Sequence, residues 1–310
     1  MDDSDRWQRT PARTRRQPAV LGCLFLVVVL FGAACGPTVG SRSTEADSGP
    51  WWVSRVGYPK PQAHPPRPST NPVVRDVVRE VDSDADELSG STVAVAVLDR
   101  GSGEVIGGEH ADDRIDTASL SKLFVAVDVA RRRSEGMPVS GADVDLIRRS
   151  LAVSDDAAMN ALWDRFDGAG AISRLAVRYG LTRTRPPAVP GNWGDTQTSA
   201  RDVATLLGQV PTLPEAERSL ILGPLDAAPR TAAEGFDQGY GLKESQRPVA
   251  VKAGWMCCED GLRAVHSSGL IGPDRRYAVA LLSTQPSSKS YSEASEVVTD
   301  AAEPLLDNLG

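Results

Sequence analysis

The sequence predicts an α/β fold of the α+β kind: one sheet built from both ends of a folded body, with a helical block inserted between its strands. Three observations carry this. Strand-like apolar runs fall in two groups, Thr92 to Gly107 and Val249 to Ser283. Helical periodicity dominates from Leu120 to about Leu225, between those groups. An amphipathic segment flanks the whole on each side, so the order is helix, two strands, helical block, three strands, helix.

Each element has a local reason. Folded structure is expected from about Asn71, where Val73, Val74, Val77, Val78 and Val81 recur at helical spacing. Thr92 to Leu98 (TVAVAVL) reads as a strand, and Gly101-Ser102-Gly103 turns it into a second at Glu104 to Gly107. The helical block is interrupted by a turn-rich stretch, Thr182 to Thr198, containing Pro186, Pro187, Pro190 and Gly191. Ser199 with Asp202 three residues later has the form of a capping box for the helix that follows. Val249 to Trp255, Arg263 to Ile271 and Arg276 to Ser283 are three further strands, with Gly272-Pro273-Asp274 as the last turn. Val297, Val298, Ala301, Leu305 and Leu306 form the apolar side of the closing helix.

Composition narrows the function. The chain has 310 residues and a formal charge of −7, from 34 Lys plus Arg against 41 Asp plus Glu. This argues against nucleic acid as a partner, which would require a basic face. Four cysteines are too few for a disulfide scaffold, and three histidines leave little for a histidine-based metal site. No metal or cofactor is called for.

The N-terminus predicts export. Arg6, Arg9, Arg13, Arg15 and Arg16 precede an uncharged run from Ala19 to Ala34, short for a membrane-spanning helix and suited to a signal-peptide core. Gly32-Ala33-Ala34 before Cys35 resembles a bacterial lipoprotein cleavage site, with Cys35 as the lipidated residue. Gly32 stands where such sites prefer Leu, and an uncleaved membrane anchor is the other reading; both place the body outside the cytoplasm, held at the outer face of the cell membrane. Residues 36–72 contain eight prolines and form a linker lifting the domain off the membrane. The expected organisation is a signal peptide at 1–35, a linker at 36–72 and a domain at 73–310, its helical lobe spanning about 119–235.

Chemistry is expected at the joints. Ser119 and Lys122, three residues apart at a helix start, share a face. A partly desolvated lysine can be neutral enough to take a serine proton, and unpaired N–H groups at the helix start suit an oxyanion. Taken alone, the same residues read as an N-cap serine and a solvated lysine. Ser154-Asp155-Asp156 precedes another helix, and alone reads as a cap. Lys252-Ala253-Gly254 ends a strand, where glycine allows close backbone approach of a ligand to the edge; alone, a strand lysine reads as a solvated face. The order S-x-x-K, S-D-x, K-x-G is far more specific than any one of them.

On the lines TASLSKLF (117–124), SDDAAMNALW (154–163), RYGL (178–181) and VKAGWMCC (251–258), the chain resembles the penicillin-recognising serine hydrolases. That superfamily comprises class A β-lactamases and D-Ala-D-Ala peptidases, and within it the chain is most similar to actinobacterial lipoproteins of the LppW type. The resemblance covers roughly residues 71–310. It implies an antiparallel sheet flanked by N- and C-terminal helices beside a helical lobe, with the active site between them. It implies Ser119 as the acylated nucleophile, Lys122 as its base, Ser154 as a proton relay and Lys252 as the cation facing a substrate carboxylate. The N–H groups of Ser119 and Trp255 would form the oxyanion hole.

Departures from the family pattern bear on activity. Asp156 stands where the family has an asparagine that donates to a substrate carbonyl, and an ionised aspartate cannot donate. Ala253 replaces a small hydroxyl residue, and Trp255 is bulky where a small residue would leave the cleft open. The gap between the first two motifs is short, and residues 182–198 contain no Glu, whereas class A β-lactamases use a glutamate there to activate the deacylating water. Efficient β-lactamase activity is not expected. Cys257 and Cys258 are either a vicinal disulfide or two thiols. Zinc is disfavoured there, and His266 reads as a packed strand histidine rather than a triad member.

Two functional readings follow. One is an exported serine hydrolase acting through an acyl-enzyme on Ser119, on a cell-wall peptide or related amide or ester. The other is a non-catalytic binding or scaffold lipoprotein that keeps the fold with a repurposed cleft.

Overall fold

The computed structural model describes residues 71–86 and 90–310. The expected signal segment, Cys35 and nearly all of the linker lie outside the described residues.

The first helix, α1 (Pro72–Asp86), starts with proline at its first position, and the Asn71 side chain accepts the Val74 N–H at 3.3 Å. Val74, Val77, Val78 and Val81 are buried on one face; Val73, expected on that face, is 48% exposed. A five-stranded antiparallel sheet follows, formed by β1 (Thr92–Asp99), β2 (Glu104–Gly107), β5 (Ala250–Glu259), β6 (Leu262–Ile271) and β7 (Tyr277–Pro286) in the order β2-β1-β7-β6-β5. The N-terminal and C-terminal strand groups meet where β1 pairs with β7, Ala96 opposite Ala280. Strand β5 is an edge.

The sheet is covered on both faces, so its strands read as nearly unbroken apolar runs. In β1 the valines, Val93, Val95 and Val97, face α1 and the final helix α8 (Tyr291–Leu309). Ala94, Ala96 and Leu98 face the helical lobe. The small side chains on that face let α6 (Ala200–Gln209) lie close: a Cβ at Gly208 would stand 2.9 Å from the Leu98 methyls. The lobe comprises α2 (Ser121–Ser134), α3 (Gly141–Ala152), α4 (Asp156–Phe166), α5 (Gly168–Tyr179), α6 and α7 (Glu215–Asp226). A short ladder, β3 (Ile115–Asp116) with β4 (Gln197–Thr198), joins the approach to α2 to the end of the turn-rich stretch.

Ser199 caps α6 as its spacing predicts, accepting from Asp202 N at 3.2 Å. Asp202 closes no box: its carboxylate accepts from Arg183 N and Thr184 Oγ1, both at 2.8 Å, and so pins the turn-rich stretch to α6.

Asp99, at the end of β1, ties the start of α1 to the turn between β6 and β7. Arg276 binds it at 2.8 and 3.0 Å, Asn71 at 3.0 Å and Gly101 N at 2.8 Å. These donors, Arg276 foremost, hold its carboxyl down to about 2. Because the folded state resists protonation, the contribution is present above pH 4 and lost as pH falls through about 2; it amounts to roughly 2 kcal/mol. Urea titrations from pH 5 to pH 2 should show this loss, and Asp99→Asn should remove that part of the slope. An unchanged acid slope in the variant would contradict the assignment.

Candidate active site

The approach to α2 is built to fix one buried serine beside a lysine. Thr117 N bonds Thr196 O at 2.7 Å, Leu120 N bonds Thr117 O at 2.9 Å, and Ala118 has φ +45°, a conformation L residues seldom adopt. The resulting 3₁₀ turn, Ala118–Leu120, holds Ser119 immediately ahead of α2. Lys122, one turn on, points the same way and is completely buried. Its Nζ lies 2.8 Å from Ser119 Oγ.

The second motif arrives from the α3–α4 junction. Asp155 caps α4, accepting from Ala158 N at 2.9 Å, and Arg149 holds its other oxygen. The tight junction puts Ser154 at φ +54°, aiming both its carbonyl and hydroxyl at Lys122, 2.7 and 3.1 Å from Nζ. Ala118 and Ser154 are two of the six non-glycine residues with positive φ among the described residues, so each serine motif rests on a conformation L residues seldom adopt. Lys252, near the start of β5, reaches across to Ser154 Oγ at 2.9 Å and donates to Ala253 O at 2.7 Å. The two amines therefore share one hydroxyl. Ser119, Lys122, Ser154 and Lys252 are all buried, and they come from three separate stretches of chain.

Gly254 closes the arrangement. A Cβ there would meet Thr117 O at 3.2 Å, Leu120 at 3.3 Å and the His266 ring at 3.4 Å. The sequence reading gave this glycine to a ligand; the structure gives it to the serine turn itself, which packs directly on the strand edge. Tyr240 Oη bonds Gly254 O at 3.0 Å and His266 O at 3.2 Å, bracing β5 from the other face.

The amines differ electrically. Burial pushes Lys122 below the ordinary lysine range, while the Asp156 carboxylate, 2.6 Å away, works against that shift. Burial pushes Lys252 well below that range, aided by the charge on Lys122. Its contacts are a hydroxyl and a carbonyl, without a carboxylate at bonding distance. The pair cannot cheaply carry two positive charges.

This fold is shared with solved structures: a β-lactamase from Chitinophaga pinensis (15% identity, TM-score 0.60, 76% of this chain and 99% of that one) and PBP-A (19%, TM-score 0.62, 79% and 97%). Among curated proteins, the chain is 34% identical over 238 residues to Mycobacterium tuberculosis LppW, named as a lipoprotein, covering 74% of each. The profile of the beta-lactamase enzyme family matches residues 140–309. The chain belongs to that family.

Within this family member the substituted positions behave individually. Asp156, in place of the family's asparagine, is an ion-pair partner of Lys122 with its side chain 53% exposed. Trp255, expected to crowd the cleft, follows strand alternation with Ala253 toward the α8 face. Its indole stacks on Phe236 at 4.2 Å and 10°, with the ring centre still 5.8 Å from Lys252 Nζ. His266 is packed, as expected: its Nε2 lies 2.9 Å from Asp116 O and its Nδ1 accepts from Ser283 N, so the ring is the neutral Nε2–H tautomer. Burial lowers it to about 4. The Cys257 and Cys258 sulfurs are set against each other near the end of β5.

Two neighbours escaped the sequence reading. Trp193, from the turn-rich stretch, places its ring centre 4.7 Å from Lys122 Nζ and is held by Nε1 donating to Asn160 Oδ1 at 2.8 Å. Glu234 accepts from Asp156 N at 3.3 Å. Its segment is docked on the α3–α4 junction by Ala233 N to Val153 O (2.7 Å) and Gln238 Nε2 to Ala152 O (2.9 Å). Neither residue lies within a recognisable motif, so only the packing of two loops on one helix start reveals them.

Proposed function

We propose that the domain is a serine hydrolase that forms an acyl-enzyme on Ser119. The single observation that carries this reading is the 2.8 Å approach of a fully buried lysine amine to the Ser119 hydroxyl. In the step, Ser119 Oγ bonds to the substrate carbonyl carbon while its proton passes to neutral Lys122 Nζ. The carbonyl electron pair moves onto oxygen, facing the N–H groups of Ser119 and Trp255. Collapse of that intermediate expels the leaving group, which takes a proton through Ser154; Lys122 and Lys252, both bonded to that hydroxyl, set its charge. Water then cleaves the acyl ester. The substrate class is a cell-wall peptide or a related amide or ester. With no Glu in residues 182–198 and Asp156 in the cleft, efficient β-lactam turnover is not part of the reading.

The kinship with a protein named as a lipoprotein supports extracytoplasmic attachment through Cys35. A fluorescent penicillin or a fluorophosphonate, followed by peptide mapping, should place an adduct on Ser119. Ser119→Ala should abolish it. Absence of any adduct at Ser119 across both reagents would sink the hydrolase.

One observation favours a second reading, a binding lipoprotein: the Asp156 ion pair stabilises Lys122 as an ammonium, the form that cannot act as base. That reading expects full complementation of a deletion strain by Ser119→Ala.

A further inference from the structure

A cavity of about 460 Å³ lies between α7 and the turns that follow β1 and join β6 to β7. None of the residues placed around Ser119 lines it. Its charged lining is Arg100, Arg218 and Arg275 against Asp226 and Asp274, a positive balance in a chain whose net charge is −7. All three arginines are half-buried, whereas both aspartates are exposed. Asp226 is already taken: Arg275 Nη2 donates to its Oδ2 at 2.7 Å. The other terminal nitrogen, Arg275 Nη1, is shut off from solvent and bonds nothing. Among the described residues, Asp274 pairs with no arginine, and Arg100 and Arg218 pair with no carboxylate. Arg100 Nη1 donates to Asp274 O and Arg275 O at 3.1 and 2.9 Å, and Arg218 Nη1 reaches Pro211 O at 3.5 Å. Carbonyls of this kind orient a guanidinium and leave its charge uncompensated.

A guanidinium in a protein does not shed its proton, so these charges persist and partial burial makes them costly. An anion in the cavity offsets that cost. We infer that the cavity binds the phosphate group of a small phosphate ester, with Arg100 and Arg218 as direct donors and Arg275 adding its field from behind the wall. A carboxylate matches one guanidinium fork, whereas a phosphoryl group presents several oxygens to donors arriving from different directions. The volume falls in the ordinary range of small-molecule sites and leaves room for an organic substituent beside Leu222. A soluble monoester and the diester headgroup of a phospholipid both offer this chemistry. The inference does not depend on acylation at Ser119.

The test titrates the full chain by calorimetry in low-salt buffer, where screening is weakest. The probes are inorganic phosphate, glycerol 3-phosphate and glycerophosphoglycerol, with acetate for comparison. At least one phosphate probe should bind with millimolar affinity or better, and more tightly than acetate. Arg218→Gln should weaken that binding about tenfold, the loss of one charge-assisted contact. Arg100→Gln should do the same, but Arg100 also ties down the β6–β7 turn, so Arg218→Gln is the deciding variant. Ser119→Ala should bind as the wild type does. A preference for glycerol 3-phosphate supports a soluble monoester as the ligand, and a preference for glycerophosphoglycerol supports a headgroup. The inference is overturned if no phosphate probe binds, if acetate binds as tightly, or if binding survives Arg218→Gln unchanged. Binding lost in Ser119→Ala would place the anion in the serine cleft and overturn it as well.

Discussion

Lys122→Met is expected to leave the fold standing and to slow acylation of Ser119 by about 10²–10⁴-fold, the usual contribution of a positioned base. The two halves of this result have separate causes. Lys122 is completely buried, so its charged form carries a desolvation cost that Met, of similar length, does not. Its partner Asp156 is half-exposed and can return to water. The opposing cost is the Ser154 carbonyl, which loses a donor at 2.7 Å, worth about 1–3 kcal/mol when left unpaired. These terms nearly cancel, and thermal melts of variant and wild type should agree within a few degrees. The rate falls because no other described group within bonding distance of Ser119 Oγ can accept its proton. Adduct formation at the wild-type rate in a folded Lys122→Met protein would show that Lys122 is not the base.

Asp156→Asn should act in the opposite direction. The carboxylate 2.6 Å from Lys122 Nζ favours the ammonium, against the burial that favours the amine. Removing the charge leaves burial unopposed, so the Lys122 pKa falls further. The reactive form is the neutral one. The rising limb of a plot of acylation rate against pH should therefore move to lower pH, and each unit of displacement raises the rate below that limb about tenfold. With a neutral reagent at pH 6, the variant should label faster than the wild type. Loss of negative charge at the first turn of α4 costs only a few tenths of a kcal/mol, so the comparison is made on folded protein. A limb that stays in place would show that Asp156 does not set the base, and a uniform drop at all pH values would assign it a positioning role instead.

These expectations separate the two readings of the chain. If Asp156 clamps the amine permanently, the wild type is a binder and Asp156→Asn alone awakens it. If burial keeps a working fraction of Lys122 neutral, the wild type already acylates and Asp156→Asn only moves its pH profile.

Most of the architecture was legible along the chain because it is encoded locally. Alternation in TVAVAVL, the periodicity of Val74, Val77, Val78 and Val81, and the Ser199 cap each act within a few residues. The exceptions are instructive. Val73 satisfied the periodicity yet faces water, because α1 presents a narrow stripe to the sheet. Trp255 looked like an obstruction because residue size is visible in a sequence and the face of an edge strand is not. Gly254 was read as a point of close approach for a ligand, whereas the group packed against it is Thr117 O, more than a hundred residues away.

By itself, then, the sequence determined the element order, the family through its spaced serine and lysine motifs, and the departures at Asp156, Ala253 and Trp255. Short-range periodicity and fixed spacing survive in one dimension. Only the tertiary structure decided how the departures act: that Asp156 lands on the Lys122 amine, that both lysines share Ser154, and that Trp193 and Glu234 close around them. Charge energies depend on distance and burial, and three loops brought together across the chain set both.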